Sequence, residues 1–413
     1  MGINAGDTAW VLASGALVLF MTPGLAIFYG GMVRAKSTLN MMMMSFAAMG
    51  ITTILWTLYA YSLAFGKDSG GGFLGNLNHI GLAGTINSVL GSPGHEIPTL
   101  AYVMFQLTFA IITVALLSGA IADRAKFSAW VIFVISWITI VYSPIAHWAF
   151  APDGWINSKL HALDFAGGTV VEINSGAAAL ALALVLGKRE GFKRDRMRPH
   201  NMPLVLLGAG MLWFGWFGFN AGSALSAGHT AALAMINTQI ATAAAVMSWV
   251  GYEKLREGKA TTLGAASGAI AGAVGITPAC GFVTPLGALA IGLIAGAVSA
   301  YGVSLKYKFN YDDSLDVVGV HGLSGIVGML SIGFIATIKA NALGANGLFF
   351  SGSPSLLEKQ IIASLATLAY SFIATWIIAT IIQRTIGFRV HRDIEIEGVD
   401  TAIHAESAYE FGR

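Results

Sequence analysis

Charged side chains are scarce in this sequence. Lys, Arg, Asp and Glu make up 11% of its 413 residues, against roughly 25% in an ordinary soluble domain. The single cysteine, Cys280, excludes a disulfide framework and any metal site built from several cysteines. The formal net charge of +2 gives no sign of a polyanionic partner. Together these shortages exclude a disordered chain, a nucleic-acid-binding protein and a soluble enzyme.

Apolar residues and glycine fill the sequence instead. Hydrophobic residues account for 55% of the chain, glycine for 51 positions, and the mean hydropathy is +0.70. A membrane-spanning helix needs roughly 20 mostly apolar residues. The regions between charge clusters therefore predict an all-α polytopic membrane protein with eleven spans, numbered 1 to 11 in chain order. Their predicted ranges are 8–33, 39–66, 98–121, 127–150, 164–187, 202–223, 230–252, 261–279, 283–304, 316–337 and 360–383.

The basic residues predict the orientation of these spans. Of the 23 Lys and Arg residues, 19 follow odd-numbered spans and four lie on the opposite side. Cytoplasmic loops are enriched in Lys and Arg, so the N-terminus is expected outside and the C-terminus inside. Met1 to Asp7 lacks a basic segment, so no removable signal peptide is expected. Residues 1–383 form the predicted transmembrane domain and 384–413 a cytoplasmic tail. The basic run from Lys188 to Arg198 fits a topology anchor better than an anionic-lipid site.

Spans 5 and 10 begin alike. Asp164 starts span 5 and Asp316 starts span 10, and glycines follow in both. Because one span enters from outside and the other from inside, the pattern indicates an inverted five-plus-five repeat, with span 11 added at the C-terminus. The two aspartates are interpreted as N-terminal helix caps, since a carboxylate accepts the free backbone N–H groups of a first turn.

Two ionisable residues lie deep within these related spans. Glu172 is the deepest carboxylate and His321 the deepest histidine in any predicted span. Such groups are costly in a membrane and usually face a cavity or a partner. We expect the two side chains to line one lumen within hydrogen-bond or one-water reach. His147, near the outer end of span 4, is interpreted as an interfacial hydrogen-bonding residue.

Enzymatic activity is not predicted. Residues 322–325 read Gly-Leu-Ser-Gly, a pattern found around intramembrane serine nucleophiles, and His321 precedes them. Adjacent helical residues do not face each other, so His321 is badly placed to act on Ser324. The sequence has no H-E-x-x-H and no P-loop motif. Neither a cofactor nor a metal site is expected.

Aromatic residues recur at helical spacing in two spans. Phe105 and Phe109 are four residues apart in span 3, and Trp216, Phe219 and Ser223 share one face of span 6. Aromatic faces with an oxygen acceptor can bind a cation. The group could supply such a site if spans 3 and 6 face each other; otherwise the stripes are packing surfaces.

Five segments resemble the Amt/Mep/Rh family of ammonium transporters over nearly the whole chain. They are 23–31 (PGLAIFYGG), 164–176 (DFAGGTVVEINSG), 216–223 (WFGFNAGS), 276–279 (ITPA) and 319–322 (GVHG). The resemblance implies a homotrimer with one pore in each subunit. It also implies an outer recruitment site for ammonium, lined by Phe105, Trp216 and Ser223 and supported from below by Asp164.

The resemblance assigns further roles within the pore. Phe109 and Phe219 match a stacked gate, for which we expect ring centroids about 4.5–7 Å apart. His321 matches the second of two pore histidines, and Glu172 replaces the first, as in fungal Mep-type members. The outer tryptophan position is filled by Phe150, or by Trp155 if the loop is displaced. Phenylalanine offers a cation a weaker face than tryptophan.

The predicted function is conduction of ammonium or ammonia across the cell membrane. The alternatives are an ammonium sensor with little flux, and a secondary transporter of another small solute. Membrane lipid is the expected surrounding, and no nucleic-acid partner is expected. By resemblance, the tail from Arg384 is expected to be ordered against the Lys188–Arg198 loop or its neighbours, with its carboxylates on the basic surface. A P-II-type nitrogen regulatory protein is a further partner implied by the resemblance.

Overall fold

The computed structural model describes residues 2–195 and 197–409, and this part of the chain is largely helical. Within it, ten helices are long and apolar enough to cross a membrane. They are Ala5–Met32, Ala35–Phe65, Thr99–Ile121, Phe127–Phe150, Gly168–Leu186, Met202–Gly222, His229–Glu257, Pro285–Phe309, Val318–Ile335 and Ser355–Thr385. The prediction of an all-α polytopic membrane protein is confirmed.

The remaining predicted span, 261–279, corresponds to a shorter helix. Thr262–Ile276 has 15 residues and is about 22 Å long at 1.5 Å per residue. It is therefore shorter than the roughly 30 Å hydrocarbon core of a bilayer. Its glycines allow close contact with span 7, since a Cβ at Gly272 would lie 2.6 Å from the Ala241 carbonyl oxygen. A short helix is thus held between longer neighbours.

Polar side chains define where several spans begin. Asn201, Thr261 and Thr284 each accept a backbone N–H three residues ahead, from Leu204, Gly264 and Gly287 respectively. Such caps satisfy N–H groups that a helix start leaves without partners. Span boundaries predicted from charge clusters therefore coincide closely with local capping signals.

Helices in equivalent places of the two halves pack against each other. Span 1 lies along span 6, where a Cβ at Gly208 would lie 2.4 Å from the Phe28 backbone nitrogen. Spans 5 and 10 touch where a Cβ at Gly176 would lie 2.3 Å from the Gly322 Cα. Only glycine permits such backbone approach. These pairings agree with the inverted five-plus-five repeat.

The start of span 10 corrects the predicted register of that repeat. Asp316 does not cap the helix: its Oδ1 lies 2.6 Å from Lys306 Nζ. Asp313 caps instead, because its Oδ2 accepts the Val318 N–H at 2.7 Å. Asp313 precedes His321 by eight residues, as Asp164 precedes Glu172. Alignment on the nearest aspartate was therefore wrong by three positions.

Backbone geometry supports the corrected register. Spans 5 and 10 both open with a wide π-helical turn, Gly168–Ile173 and Val318–Gly322. In the corrected alignment Gly167 matches Asp316, and both have positive φ, 113° and 65°. Each turn is followed by a 13-residue α-helix, Asn174–Leu186 or Leu323–Ile335. The repeat is thus preserved in backbone form more clearly than in side chains.

Short elements complete the described chain. One antiparallel pair joins Val89–Leu90 to Ile97–Pro98, with Val89 opposite Pro98. Spans 2 and 4 contain the π-helical turns Trp56–Ala60 and Ile138–Tyr142. Short helical segments outside the spans are Ile80–Leu82, Ile156–Leu160, Leu348–Ser351, Arg392–Glu397 and Asp400–His404.

The tail is folded against the loops that follow odd-numbered spans, as predicted. Val390 N donates to Arg124 O, and both Asp400 carboxylate oxygens accept backbone N–H groups at the start of span 2, from Leu39 and Asn40. Burial raises the pKa of Asp400. Arg196 of the Lys188–Arg198 loop and residues 410–413 of the tail lie outside the described residues.

The predicted charge pattern of this contact was wrong in part. Glu395 accepts the Glu190 backbone N–H at 2.6 Å and pairs with Arg389 of the tail itself at 2.7 Å. Arg392 pairs with the Glu190 carboxylate at 3.3 Å. The tail therefore meets a backbone group and an acidic side chain of the loop rather than its basic side chains. A backbone N–H is a suitable partner for a buried carboxylate, and no charge pattern in the sequence signals it.

Candidate functional site

An open cavity lies where spans 3, 4, 5 and 6 meet at the side opposite the tail. It has a volume of about 310 Å³. The predicted recruitment residues Phe105, Phe150 and Ser223 line it, together with Asp164. Trp216 lies deeper, against the inner lumen. Spans 3 and 6 therefore do face each other, and one cavity gathers most of the predicted outer site.

A pair of stacked phenyl rings lies against two of the residues that line this cavity. The centroids of Phe109 and Phe219 are 4.1 Å apart with an interplanar angle of 23°. They are closer than the predicted range because the rings are nearly parallel. Phe105 lies 4.9 Å from Phe109, and Phe150 lies 6.3 Å from it on another side. Both stacked rings are 1% exposed, so they separate the outer cavity from the interior.

A narrow apolar lumen lies beneath the stacked rings. Its open volume is about 10 Å³, which is about the space of one water molecule. Its walls are hydrophobic except at three places, the Trp216 ring, Glu172 and His321. The passage is thus too small and too apolar to hold a hydrated ion.

Glu172 and His321 meet at this lumen, as their depth in the sequence predicted. His321 Nδ1 lies 2.7 Å from Glu172 Oε2, and both residues are buried. An ionised carboxylate only accepts hydrogen bonds. With Glu172 ionised and His321 neutral, Nδ1 therefore donates and Nε2 is left as an acceptor. Glu172 Oε1 is buried with no hydrogen-bond partner among the described residues, so a second acceptor borders the lumen.

Asp164 holds the start of span 5 in place. Its Oδ1 accepts the N–H groups of Gly167 and Gly168, and its Oδ2 accepts the N–H and hydroxyl of Thr169, all at 2.5–2.8 Å. These four bonds fix the turn from which Glu172 projects. These contacts confirm the capping interpretation of Asp164, and its support of an outer recruitment site stays a prediction.

Trp216 is held in place by a chain of polar contacts that was not predicted from the sequence. Its indole N–H donates to Thr277 Oγ1 at 2.9 Å, and Thr277 in turn contacts Asn220, which donates to Thr238. All four residues are buried. Asn220 and Thr277 fall within the family-like segments, but nothing in those segments showed that they touch.

Two of the polar residues that line the outer cavity also escaped notice. Tyr102 and Gln106 are on its wall, and Gln106 Oε1 is buried with no hydrogen-bond partner among the described residues. Gln106 lies three residues before Phe109, so helical spacing places both on one face. That three-residue spacing is the sequence signal for Gln106.

The structure also separates Phe150 from Trp155. Phe150 lines the outer cavity, whereas Trp155 packs against Trp148 at 5.7 Å and Phe73 at 6.3 Å. Of these two residues, Phe150 is therefore the one that faces the outer cavity. His147 is fully buried, with Nδ1 3.0 Å from Ala64 O and Nε2 3.4 Å from Asp68 Oδ1. It ties span 4 to the loop after span 2 and does not line the described lumen.

Buried charges surround the other end of the lumen. Burial alone would raise the pKa of Asp312, but its bidentate pair with Arg189 lowers that pKa to about 2. The adjacent Asp313 behaves oppositely, because burial and the nearby Asp316 carboxylate raise its pKa to about 6. Arg189 also reaches Asp123 at 3.3 Å. These contacts join the loops after spans 3, 5 and 9.

A helical membrane protein whose narrow apolar passage is lined by a carboxylate–imidazole pair fits the class of membrane transport proteins. The sequence model described as the Ammonium Transporter Family matches residues 9–409. The chain belongs to the ammonium transporter family.

Individual proteins agree with this assignment. The chain is 53% identical to the ammonium transporter of Mycobacterium tuberculosis H37Rv, over 100% of this chain and 92% of that protein. It is 47% identical to the ammonium transporter of Bacillus subtilis, over 99% of each. The crystal structure of Candida albicans Mep2 superposes with a TM-score of 0.87 at 34% identity, covering 95% of this chain and 87% of that one. The family consists of transporters and is not an enzyme class.

Proposed function

We propose that this protein conducts ammonium, or ammonia with a separated proton, through the lumen beneath Phe109 and Phe219. One observation carries the proposal: the 2.7 Å contact of Glu172 with His321 in a passage that is otherwise apolar. Burying a carboxylate and an imidazole within a membrane protein costs free energy, so such a pair indicates a function. Transfer of a proton, or hydrogen bonding to a small neutral solute, is a function that such a pair can perform.

Selectivity follows from the dryness of the passage. Ammonium and potassium have similar size and charge, so a wall of carbonyl oxygens would pass both. A lumen of about 10 Å³ forces either ion to lose its hydration shell. Ammonium alone can release a proton and continue as a neutral hydrogen-bonding molecule. The lumen then discriminates ammonium from potassium by acid–base chemistry rather than by ionic radius.

The outer cavity is proposed to collect the cation. Phe105 and Phe150 offer ring faces, and Ser223 and Asp164 bring oxygen atoms to the same cavity. Ser223 Oγ donates to Phe219 O at 2.8 Å, which leaves its lone pairs available to a donor. Ring faces and oxygen acceptors together suit a cation that carries N–H groups.

His321 and Glu172 are proposed to form the proton relay. With Nδ1 donating to Glu172, His321 Nε2 can accept an N–H from the solute in the lumen. A proton released above can pass to the histidine and on to the carboxylate, because each can hold it in turn. Ammonia then continues along the apolar wall.

The expected measurement compares two cations on purified protein in liposomes. Ammonium pulses should produce a current or an internal pH change that depends on the protein, and potassium pulses of equal concentration should produce none. Both cations are also tested on Phe219→Ala, which removes one ring of the stack. Phe214→Ala is its matched control, because the Phe214 ring lies on the same span but is 56% exposed. Equal responses to both cations in the unaltered protein would contradict the proposed selectivity.

The assembly and sidedness are proposed on separate grounds. The excess of basic residues after odd spans supports an outer N-terminus and a cytoplasmic C-terminus. Membership of the family supports a homotrimer with a pore in each subunit, and the division into residues 1–383 and 384–413. Protease protection of a C-terminal tag in intact cells and native mass spectrometry in detergent test these points.

A P-II-type regulatory protein is proposed as a partner at the face that carries the tail. The folded tail supports this, because Arg389, Glu395 and Asp400 fix it to the loops around the inner pore mouth. Co-purification with a P-II protein at several nucleotide concentrations should retain it. Loss of that retention in a chain truncated after Arg384 would assign the contact to the tail.

A further inference from the structure

A second large cavity lies at the opposite end of the pore from the stacked rings. It has a volume of about 620 Å³ and is bordered by the ends of spans 1, 5 and 9 and the starts of spans 8 and 10. We call it the inner vestibule. Its described lining includes five basic and two acidic side chains, Arg189, Lys193, Arg194, Arg198, Lys306, Asp195 and Asp316. On the proposed pathway, a solute that leaves the lumen past His321 enters this basic space.

The buried charges beneath the vestibule balance one another. Four basic residues, Arg34, Arg124, Arg189 and Lys306, are close to four acidic ones, Asp123, Asp312, Asp313 and Asp316. Direct ion pairs join Arg34 to Asp123, Arg189 to Asp312 and Lys306 to Asp316 at 2.6–3.1 Å. The excess charge in the vestibule therefore does not come from this buried cluster.

The excess comes from the loop between spans 5 and 6. In the described part of the chain, Lys193, Arg194 and Arg198 form no ion pair, and Asp195 is the one acidic residue that this loop brings to the cavity wall. A concave wall with one sign of charge focuses the electric field over its opening. The vestibule should thus carry a positive potential.

The outer cavity has the opposite character. Asp164 is the single charged residue among its described lining residues. Lys359 lies in an adjacent cavity beside His161 and does not line the outer cavity itself. One end of the pore is therefore lined by a single carboxylate, and the other end by an excess of basic side chains.

We infer that the inner vestibule is an electrostatic filter that opposes entry of ammonium, so that the pore conducts the cation better from the outer cavity than from the vestibule. The inference rests on the proposed function. Positive charge lowers the local concentration of a cation and leaves neutral ammonia unaffected. The vestibule thereby favours solute that has given up its proton over solute that still carries it. The residues that set this rectification are Lys193, Arg194 and Arg198.

Membrane vesicles of the two orientations test the inference on the full chain. Uptake of isotopically labelled ammonium into inverted vesicles samples entry through the vestibule, and uptake into right-side-out vesicles samples entry through the outer cavity. The measurement is made at low ionic strength and mildly acidic pH, where ammonium dominates, with protein-free membranes subtracted. The variant is K193Q/R194Q/R198Q. Its matched control is K254Q/R256Q/K259Q, which removes three basic residues from the last turn of span 7 and the loop that follows it.

The variant should raise uptake into inverted vesicles at least about threefold, a modest value for steering by several charges. Uptake into right-side-out vesicles and the oligomeric state should be unchanged, and the control triple should leave both rates as they were. The effect should shrink in about 0.5 M KCl, where screening acts within a few ångströms.

An unchanged ratio of the two rates would overturn the inference, as would an equal effect of the control triple. An increase that persists at high salt would overturn it too, because screening must weaken an electrostatic filter. Absence of ammonium uptake in either orientation would instead defeat the proposed function, and the inference with it.

Discussion

The starts of spans 5 and 10 share one backbone conformation but carry different ionisable side chains. Each has a capping aspartate, a residue of positive φ and a π-helical turn, and each carries an ionisable side chain eight residues after the aspartate. In span 5 that side chain is Glu172 and in span 10 it is His321. The repeat conserves the position from which a group reaches the lumen and leaves its chemistry free to differ.

The two caps differ in strength as well. Asp164 accepts four hydrogen bonds, whereas Asp313 accepts the Val318 N–H and shares its surroundings with Asp316 and Lys306. The outer start is thus held by one residue, and the inner start by a cluster of charges. The start of span 5 should therefore depend mainly on the hydrogen bonds of Asp164. The start of span 10 should depend on pH through the charge of Asp313.

The largest effect is expected from Glu172→Ala, which breaks the pair between the two spans. It leaves His321 Nδ1 buried without a partner, so transport of ammonium should fall by at least about tenfold. Glu172→Gln keeps an acceptor oxygen but cannot take up a proton. Initial uptake rates of both variants in liposomes separate the roles: a near-normal rate for Glu172→Gln would limit the residue to hydrogen bonding.

Phe219→Ala removes one ring of the stack above that pair. A 4.1 Å aromatic contact that closes the outer cavity is lost, so potassium should gain access or ammonium flux should collapse. Parallel measurements of ammonium and potassium flux detect either result. Unchanged flux and unchanged selectivity would show that the stack is not a gate.

Alanine at the two caps tests their unequal strength. Asp164→Ala leaves three backbone N–H groups and one hydroxyl without partners and should lower the free energy of unfolding by about 2–4 kcal/mol. Asp313→Ala removes one capping bond and should lower it by about 1 kcal/mol. Denaturant titration in detergent ranks the two variants. Equal losses would mean that the inner cap is as important as the outer one.

The smallest effect concerns pH and the neighbours Asp312 and Asp313. Because the folded-state pKa of Asp313 is raised to about 6 from 3.8, its contribution is favourable at low pH and is lost as pH rises through 6. Asp312, with a pKa of about 2, contributes stability above pH 3.8 that is lost as pH falls toward 2. Of these two aspartates, only Asp313 should therefore titrate between pH 7.5 and 5.0.

Thermal unfolding at these two pH values isolates that contribution. Stability gained on going from pH 7.5 to 5.0 should be larger in the unaltered protein than in Asp313→Asn, by about 1 kcal/mol, since only about one pH unit of this interval lies below the folded-state pKa. Asn cannot take up the proton, so it serves as the matched control. An identical pH response in both proteins would place the titrating group elsewhere.

Several features were predictable because they depend on local sequence. Long apolar segments separated by charges specified the helices, and the depth of Glu172 and His321 identified both before any contact was visible. The four-residue spacing of Phe105 and Phe109 placed both on one helical face. The misassigned cap shows the limit: two aspartates, Asp313 and Asp316, precede span 10, and only the backbone decides which one reaches the helix start.

Contacts between distant segments could not be predicted in the same way. Trp216, Thr277 and Asn220 become a relay only when spans 6 and 8 pack together, and Phe150 is chosen over Trp155 by the path of one loop. The charge of the inner vestibule likewise required knowing that Arg34, Arg189 and Lys306 are already paired.

The sequence by itself determined the membrane class, the approximate positions of ten spans and the identity of the buried ionisable residues, because the apolar membrane interior acts on each segment independently. Tertiary structure alone decided which rings stack, which aspartate caps span 10 and where positive charge remains unpaired. Those outcomes depend on packing distances of a few ångströms between helices, set by glycine contacts such as Gly176 against Gly322.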